Sequence, residues 1–337
     1  LRAAVFEGIG RPLALTSLPD PSPGPGELVL RVRSAGICGT DLHMSESPGL
    51  PGGSVLGHEF AGDVVEVGAG VDGWQRGDPA CALPCIGCGR CPACVAGDVT
   101  ACVQLRSIGL GDLPGAYAEL VRVGAREALH LPEAVDHDGG ALVEPLAVGI
   151  HALRAAALSP GDAVLVLGSG PIGLAAATWA RHLGAADVVV ADRVAGRLAL
   201  AAAFGATATL DMADPGASVA VADLCGGPPD VVVECVGRPG MLEECLGYVR
   251  RRGRIVIAGA CMAPDTVVPA MASLKEVEVR FVMAYSRQDY ALALRQLAAG
   301  RVAGPAMITD RVSLDAFPAA FDALRRPTTQ CKVMLRP

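Results

Sequence analysis

The sequence predicts an α/β protein in which a doubly wound parallel sheet is inserted into a mostly β domain. Three observations carry this. Residues 162–260 alternate near-continuous Val, Ile and Leu runs with helical stretches, the pattern of a parallel sheet covered on both faces. Residues before 146 hold short apolar runs parted by turns such as PDPSPGPGE (19–27) and SPGLPGG (47–53), as in an irregular β domain. The chain has 337 residues, more than one domain normally spans. The expected division is 1–147 with 285–337, and 148–284 between them.

The elements follow in order. ELVLRVRSAGIC (27–38) alternates with Leu28, Leu30 and Val32 on one face, and GDVVEVG (62–68) is a short strand ended by glycine. DAVLVLG (162–168) reads as a buried strand, PIGLAAATWARHLG (171–184) as a helix closed by glycine, and ADVVVAD (186–192) as the next strand. A second helix is expected over 193–205. Further strands at 229–237 and 253–260 flank a helix over 240–252, and another helix spans 289–300.

Composition narrows the function. The net charge is −7 and no long Lys/Arg run occurs, which argues against a nucleic-acid or anionic-membrane partner. The longest uncharged stretch, Ala163 to Ala180, is interrupted by GSGPIG and reads as strand, turn and helix rather than a membrane span. LRAAVFEGIG at the start lacks the charged head and apolar core of a signal peptide. A cytoplasmic protein is expected, in which clustered thiols stay reduced and lean toward metal.

GSGPIG places Gly168, Gly170 and Gly173 in G-x-G-x-x-G spacing, after a strand and opening a helix, with Asp192 nineteen residues beyond Gly173. Gly168 allows the tight turn, Gly170 lets backbone approach a pyrophosphate, and Gly173 permits close helix–strand packing at a helix N-terminus that favours negative charge. Pro171 and Ile172 of the same turn, and Val236 and Gly237 at the end of the 229–237 run, complete the expected cofactor set. Asp192 suits the adenosine ribose hydroxyls and would repel a 2′-phosphate, favouring NAD over NADP. Arg193 and Arg197 pull the other way, since a nearby Arg can accept that phosphate.

Cys88, Cys91 and Cys94 are spaced C-x-x-C-x-x-C, and Cys102 follows eight residues later. One loop can wrap a tetrahedral ion with four such thiolates. Disulfides and a cubane iron–sulfur cluster use the same residues. The reducing compartment argues against the first and the nicotinamide signal against the second, so a closed, structural zinc is the expectation. A second set is mixed. GICGTDLH (36–43) and GHEFAG (57–62) supply Cys38, His58 and Glu59, and LVEPLAVGIHA supplies Glu144 inside an apolar run. Sulfur, nitrogen and oxygen donors with a labile position are the mark of a catalytic zinc, and a cation would satisfy a carboxylate held among apolar residues. His130, His137, His151 and His182 are expected to be structural.

GHEFAGDVVEVGAGV (57–71) resembles the zinc-type alcohol dehydrogenase signature, with Gly57, His58, Glu59, Gly62, Gly68 and Val71 in register. The chain is similar along nearly its whole length to the zinc-dependent medium-chain dehydrogenase/reductase superfamily, and VEPLAVGIHA looks most like its sorbitol and butanediol dehydrogenase branch. The resemblance implies a Rossmann domain inserted in a GroES-like, mostly β catalytic domain. It implies that Cys38 and His58 bind catalytic zinc, with Glu59 and Glu144 as exchangeable or outer carboxylates. Thr40 would bond the substrate oxygen and His43 would serve as a relay. Cys88, Cys91, Cys94 and Cys102 would form the structural-zinc loop, and Asp192 and Arg197 the NAD adenosine pocket. The stretch between His43 and His58, fourteen residues long, holds no aromatic residue and departs from the family's usual pocket wall.

The implied activity is hydride transfer between a secondary alcohol (a polyol, diol or cyclic alcohol) and NAD, giving the ketone. The alternatives are a threonine-type amino-alcohol dehydrogenase, a zinc-free quinone or enoyl reductase, and a non-catalytic NAD- or zinc-binding protein on the same fold. The expected partners are the small-molecule substrate and further copies of the chain, as a homodimer or homotetramer.

Overall fold

A computed structural model describes residues 1–214, 216–326 and 329–337. The chain divides into two compact units, Leu1–Glu144 with Ser286–Pro337, and Pro145–Tyr285.

The first unit is built on one sheet. Its strands run in the order Ala128–His130, Pro79–Ala82, Glu59–Val67, Glu27–Gly36, Lys332–Arg336 and Ile308–Ser313, and Leu120–Gly124 also pairs with Glu27–Gly36. The strand Glu27–Gly36 buries nearly every residue except Arg31 and Arg33, because it is covered on both faces. Leu28, Leu30, Val32, Phe60, Val64, Tyr117, Phe317 and Phe321 belong to its core. The antiparallel register sets Gly36 opposite Glu59, and Met334 pairs with Gly36 on the other side. Cys38, two residues past one strand end, therefore lies by His58, one residue before its neighbour's start. Twenty residues of sequence collapse to a single strand end.

The second unit is a parallel sheet in the order Ala208–Asp211, Asp187–Asp192, Ala163–Leu167, Val231–Glu234, Arg254–Ile257, Glu278–Phe281. Ala163–Leu167 and the Val188–Ala191 segment beside it are buried throughout, as runs covered on both faces must be. The helix Pro171–His182 starts directly after the glycine turn and buries Leu174, Ala177 and Trp179, with the Trp179 indole N–H donating to the Leu146 carbonyl at 2.8 Å.

Two expectations change here. The helix anticipated over 193–205 is instead a short α-turn, Ala195–Leu198, followed by a 3₁₀ turn, Ala201–Phe204. Gly196 is a poor helix former, and the segment follows the burial of Ala201 and Phe204 rather than one helical face. The strand Ala208–Asp211 was not legible as one: it is four residues long, at a sheet edge and half-exposed, with Leu210 as its one large apolar side chain. Among the described residues, no helix is long and apolar enough to cross a membrane.

Candidate functional site

Three strand ends converge in the first unit. Cys38 caps the helix Gly39–Ser45, His58 immediately precedes and Glu59 begins the strand Glu59–Val67, and Lys332 begins the strand Lys332–Arg336. One donor atom each from Cys38, His58 and Glu59 lies within 4.8 Å of the others. His58 and Glu59 are buried and Cys38 is half-buried. Glu144, buried near the start of the helix Val143–Ala155, is not one of the three, although its charge is felt at Lys332 and Tyr290.

Residues that the sequence did not single out organise this set. Asp41 is fully buried. Its Oδ2 accepts the Cys38 amide at 3.1 Å and the Tyr117 hydroxyl, and its Oδ1 stands 3.1 Å from His58 Nδ1. With Nδ1–H donated to a carboxylate, the other ring nitrogen is left to ligate, the usual tautomer lock of a metal-binding histidine. Lys332, 1% exposed, donates to both Glu59 oxygens at 2.7 and 2.6 Å and to the Ile37 carbonyl at 2.9 Å. Gly36 lets this happen, since a Cβ there would lie 2.1 Å from Glu59 Oε2. The signals were faint: Asp41 is an acid three residues after a helix cap, Lys332 is a cation opening a short apolar run, and Tyr117 carried none.

The pocket's electrostatics fit a cation. Burial opposes charge on the His58 ring, yet Asp41 and Cys38 outweigh it and hold its pKa well above the ordinary value. Lys332 behaves alike: burial pushes it down, but Glu59 and Cys38 more than compensate. Burial and Asp41 together push Tyr117 well up, so its hydroxyl stays a donor. A site that draws protons onto its bases, with one thiol, one imidazole and one carboxylate converging, suits zinc.

Thr40 and His43 follow Cys38 on the same short helix, three residues apart and hence on one side. Thr40 is half-buried and His43 exposed.

Cys88, Cys91, Cys94 and Cys102 form the other group, all as thiols, with sulfurs mutually within 4.8 Å. The short helix Pro92–Val95 turns the chain back, and backbone amides point at the sulfurs: Cys88 N donates to Cys102 at 3.3 Å, Cys91 N to Cys88 at 3.4 Å and Gln104 N to Cys102 at 3.4 Å. The amides of Arg90 and Cys91 lower Cys88 to about 6, whereas desolvation and the neighbouring sulfurs push Cys94 up to about 12. Four thiolates cannot all ionise in one shell without a cation, so the donors fit a closed zinc site. Cys85 stays outside the group, a buried thiol pushed up to about 12 by desolvation. A cavity of about 980 Å³ adjoins this loop, lined by Trp74, Cys88, Arg90, Arg106 and Glu127 among others; Cys38, His58 and Glu59 do not line it.

In the second unit the glycine turn fits a pyrophosphate. Gly168 has φ +99°, Gly170 faces open space where a phosphate could approach, and a Cβ on Gly173 would sit 1.8 Å from the Gly168 carbonyl. Pro171 is the first helical residue, with Ile172 next. Asp192 ends its strand beside this turn, its Oδ2 accepting the Ser169 amide and hydroxyl at 2.6 and 2.7 Å and its Oδ1 the amides of Arg193 and Val194 at 2.6 and 3.0 Å. Arg193 is exposed and Arg197 half-buried on the following turn. Val236 and Gly237 lie in the loop after Val231–Glu234, their amides donated to Glu234.

The other histidines are occupied elsewhere. His130 stacks on Trp74 at 3.7 Å, His137 bonds Asp63 at 2.8 Å, His182 meets the Trp179 ring edge-on, and His151 lies half-buried on the helix Val143–Ala155.

Comparison with known proteins gives the family and the fold. Residues 24–133 match the alcohol dehydrogenase GroES-like domain, and residues 171–299 match the zinc-binding dehydrogenase family. The chain is 30% identical to the sorbitol dehydrogenase of Bacillus subtilis (strain 168), over 100% of this chain and 97% of that one. Among solved structures, one from Sinorhizobium meliloti 1021 with NADP bound is 34% identical, covering 100% of this chain and 99% of that chain, with a TM-score of 0.89. The 2R,3R-butanediol dehydrogenase of Bacillus subtilis is 28% identical over 100% and 99%, with a TM-score of 0.87.

Proposed function

Because the chain belongs to the zinc-dependent medium-chain dehydrogenase/reductase family and to its sorbitol dehydrogenase type, we propose that it interconverts a secondary alcohol and its ketone, with NAD as the hydride carrier. The substrate class is a polyol, vicinal diol or cyclic alcohol. The observation that carries this is the convergence of Cys38, His58 and Glu59 in one unit of a chain whose other unit holds an open dinucleotide turn.

Cys38 and His58 would hold the catalytic zinc together with Glu59, with Glu144 as a further carboxylate, and the four-cysteine loop would hold the structural zinc. When bound, the catalytic zinc supplies Lewis-acid polarisation of the substrate oxygen, and the nicotinamide supplies the hydride acceptor. The residues do the rest. Asp41 fixes the His58 ring and the Cys38 backbone. Lys332 holds Glu59 in place through both carboxylate oxygens. The Thr40 hydroxyl would take the alcohol proton while releasing its own toward His43, which, one turn on and exposed, would pass it to water. Asp192 receives the adenosine ribose and disfavours a 2′-phosphate, which supports NAD as the carrier.

We further propose a homodimer formed by the sheet edge Glu278–Phe281. A free strand edge invites self-complementary pairing around a two-fold axis, and Phe281 in this strand and Met283 just beyond it are 73% and 92% exposed. The abundance of unbridged thiols supports a reducing compartment, the cytoplasm.

A panel of polyols, vicinal diols and cyclic secondary alcohols, followed at the NADH absorbance band, tests the reaction. Turnover with at least one of these classes, abolished by Cys38→Ser while NADH still binds, is the expected result. Undiminished turnover in Cys38→Ser overturns the zinc assignment.

A further inference from the structure

The parallel sheet has one point where its strand order reverses. The chain runs outward from Ala163–Leu167 to Asp187–Asp192 and Ala208–Asp211, then crosses to Val231–Glu234 on the other side of the starting strand. The crevice beyond the C-terminal ends of Ala163–Leu167 and Val231–Glu234 is the switch point at which such sheets bind ligands. One lip of it is the glycine turn. The other is the loop 235–237, which comes so near that a Cβ on Gly168 would lie 3.1 Å from Val236 Cγ2.

Glu234 holds that second lip. It is 1% exposed, at the end of an otherwise all-valine strand, where a carboxylate is costly unless hydrogen-bonded. Its Oε1 accepts the amides of Val236 at 2.6 Å and Gly237 at 2.8 Å, so the chain curls around the acid that precedes it. Its Oε2 faces the loop after Arg254–Ile257: a Cβ on Gly259 would lie 2.5 Å from that oxygen and 2.3 Å from Gly237 N. The Glu234 carbonyl accepts the amides of Ala258 and Gly259 at 2.8 and 2.9 Å. Gly237 has φ +70°, and a Cβ there would meet Ala260 N at 2.7 Å. Two loops thus pack backbone to backbone around one carboxylate, and the bonds run to the loop that forms the crevice.

We propose that Glu234 is a positioning residue for the dinucleotide: its carboxylate sets the lip opposite the glycine turn, and NAD binds with full affinity only while that lip is held. Glu234 acts through Val236 and Gly237 rather than by touching the cofactor, and the proposal rests on the reading that NAD occupies the glycine turn.

The test is a titration of the full chain with NADH, followed by nicotinamide fluorescence, for wild type, Glu234→Gln and Glu234→Ala, with thermal unfolding and steady-state kinetics alongside. Gln keeps the shape and one acceptor oxygen but turns an NH₂ toward the Gly259 loop; Ala removes both acceptors. The expected result is an NADH Kd weakened several-fold in Glu234→Gln and about tenfold or more in Glu234→Ala, as for amides left buried without a partner. KM for NAD should rise in step while kcat changes much less. If Glu234→Ala does not fold, Glu234→Gln decides. Unchanged NADH affinity in Glu234→Gln, even with a lower melting temperature, overturns the proposal and leaves the residue a purely structural brace. Failure of wild type to bind NADH overturns the cofactor reading first, and the proposal with it.

Discussion

Lys332 Nζ lies 2.7 and 2.6 Å from the two carboxylate oxygens of Glu59, with both side chains 1% exposed. A pair this buried is costly to break from one side, because the surviving charge has no solvent to turn to. Lys332→Met should therefore destabilise the fold by about 3–5 kcal/mol, read by denaturant unfolding. The double variant Lys332→Met with Glu59→Leu should recover most of that loss. Equal stability of Lys332→Met and wild type would show that the pair does not bear on folding.

Asp41 holds the His58 ring and the Cys38 amide through one buried carboxylate. Asp41→Asn keeps the shape but offers one acceptor oxygen where two are in use. Outer partners of metal ligands typically contribute about 10–100-fold in metal affinity. Competition with a calibrated chelator should place the variant's zinc affinity in that range below wild type, and a matching affinity would count against the tautomer lock.

The sulfur loop gives a stoichiometry. Wild type is expected to carry two zinc ions per chain by elemental analysis, Cys38→Ser one, and Cys94→Ser one. Cys94→Ser should also melt earlier, since a structural site couples metal binding to folding. If Cys94→Ser retained both ions, the four-thiolate assignment would be wrong.

On the proposed reading, Asp192 faces the adenosine ribose, where its charge would repel a 2′-phosphate. Asp192→Ala should lower the preference for NAD over NADP by an order of magnitude or so, on the scale of about 1.4 kcal/mol per tenfold, read as the ratio of the two kcat/KM values. An unchanged ratio would remove Asp192 from the ribose site.

Acid should loosen the first unit through Asp138. Its carboxylate, 3% exposed, is opposed by burial but held below the usual range by Arg336, Ser34 and Arg311, which it meets at 2.6–3.3 Å. A carboxyl whose folded pKa is depressed contributes stability that is fully present above its unfolded value of about 3.9 and is lost as pH falls through the lower folded value. Asp138→Asn should flatten the fall in stability across that window, measured by denaturant unfolding from pH 5 downward; a slope identical to wild type would rule the group out.

Much of this protein is written locally in its sequence. The glycine turn is local, because tight turn, phosphate approach and helix start occupy six consecutive residues, Gly168 to Gly173. The cysteine loop is local as well, since four thiols within fifteen residues need no distant partner to converge. The buried parallel strands announce themselves as valine runs because both faces are covered. What only the tertiary structure decided is how charges far apart in sequence share one pocket. The antiparallel register joins Cys38 to His58, and a strand nearly three hundred residues later brings Lys332 onto Glu59. Asp41, Tyr117, Lys332 and Glu234 look like ordinary polar residues in one dimension. Their role depends on burial and on which backbone amides or side chains they meet, and pattern along the chain encodes neither; only packing does.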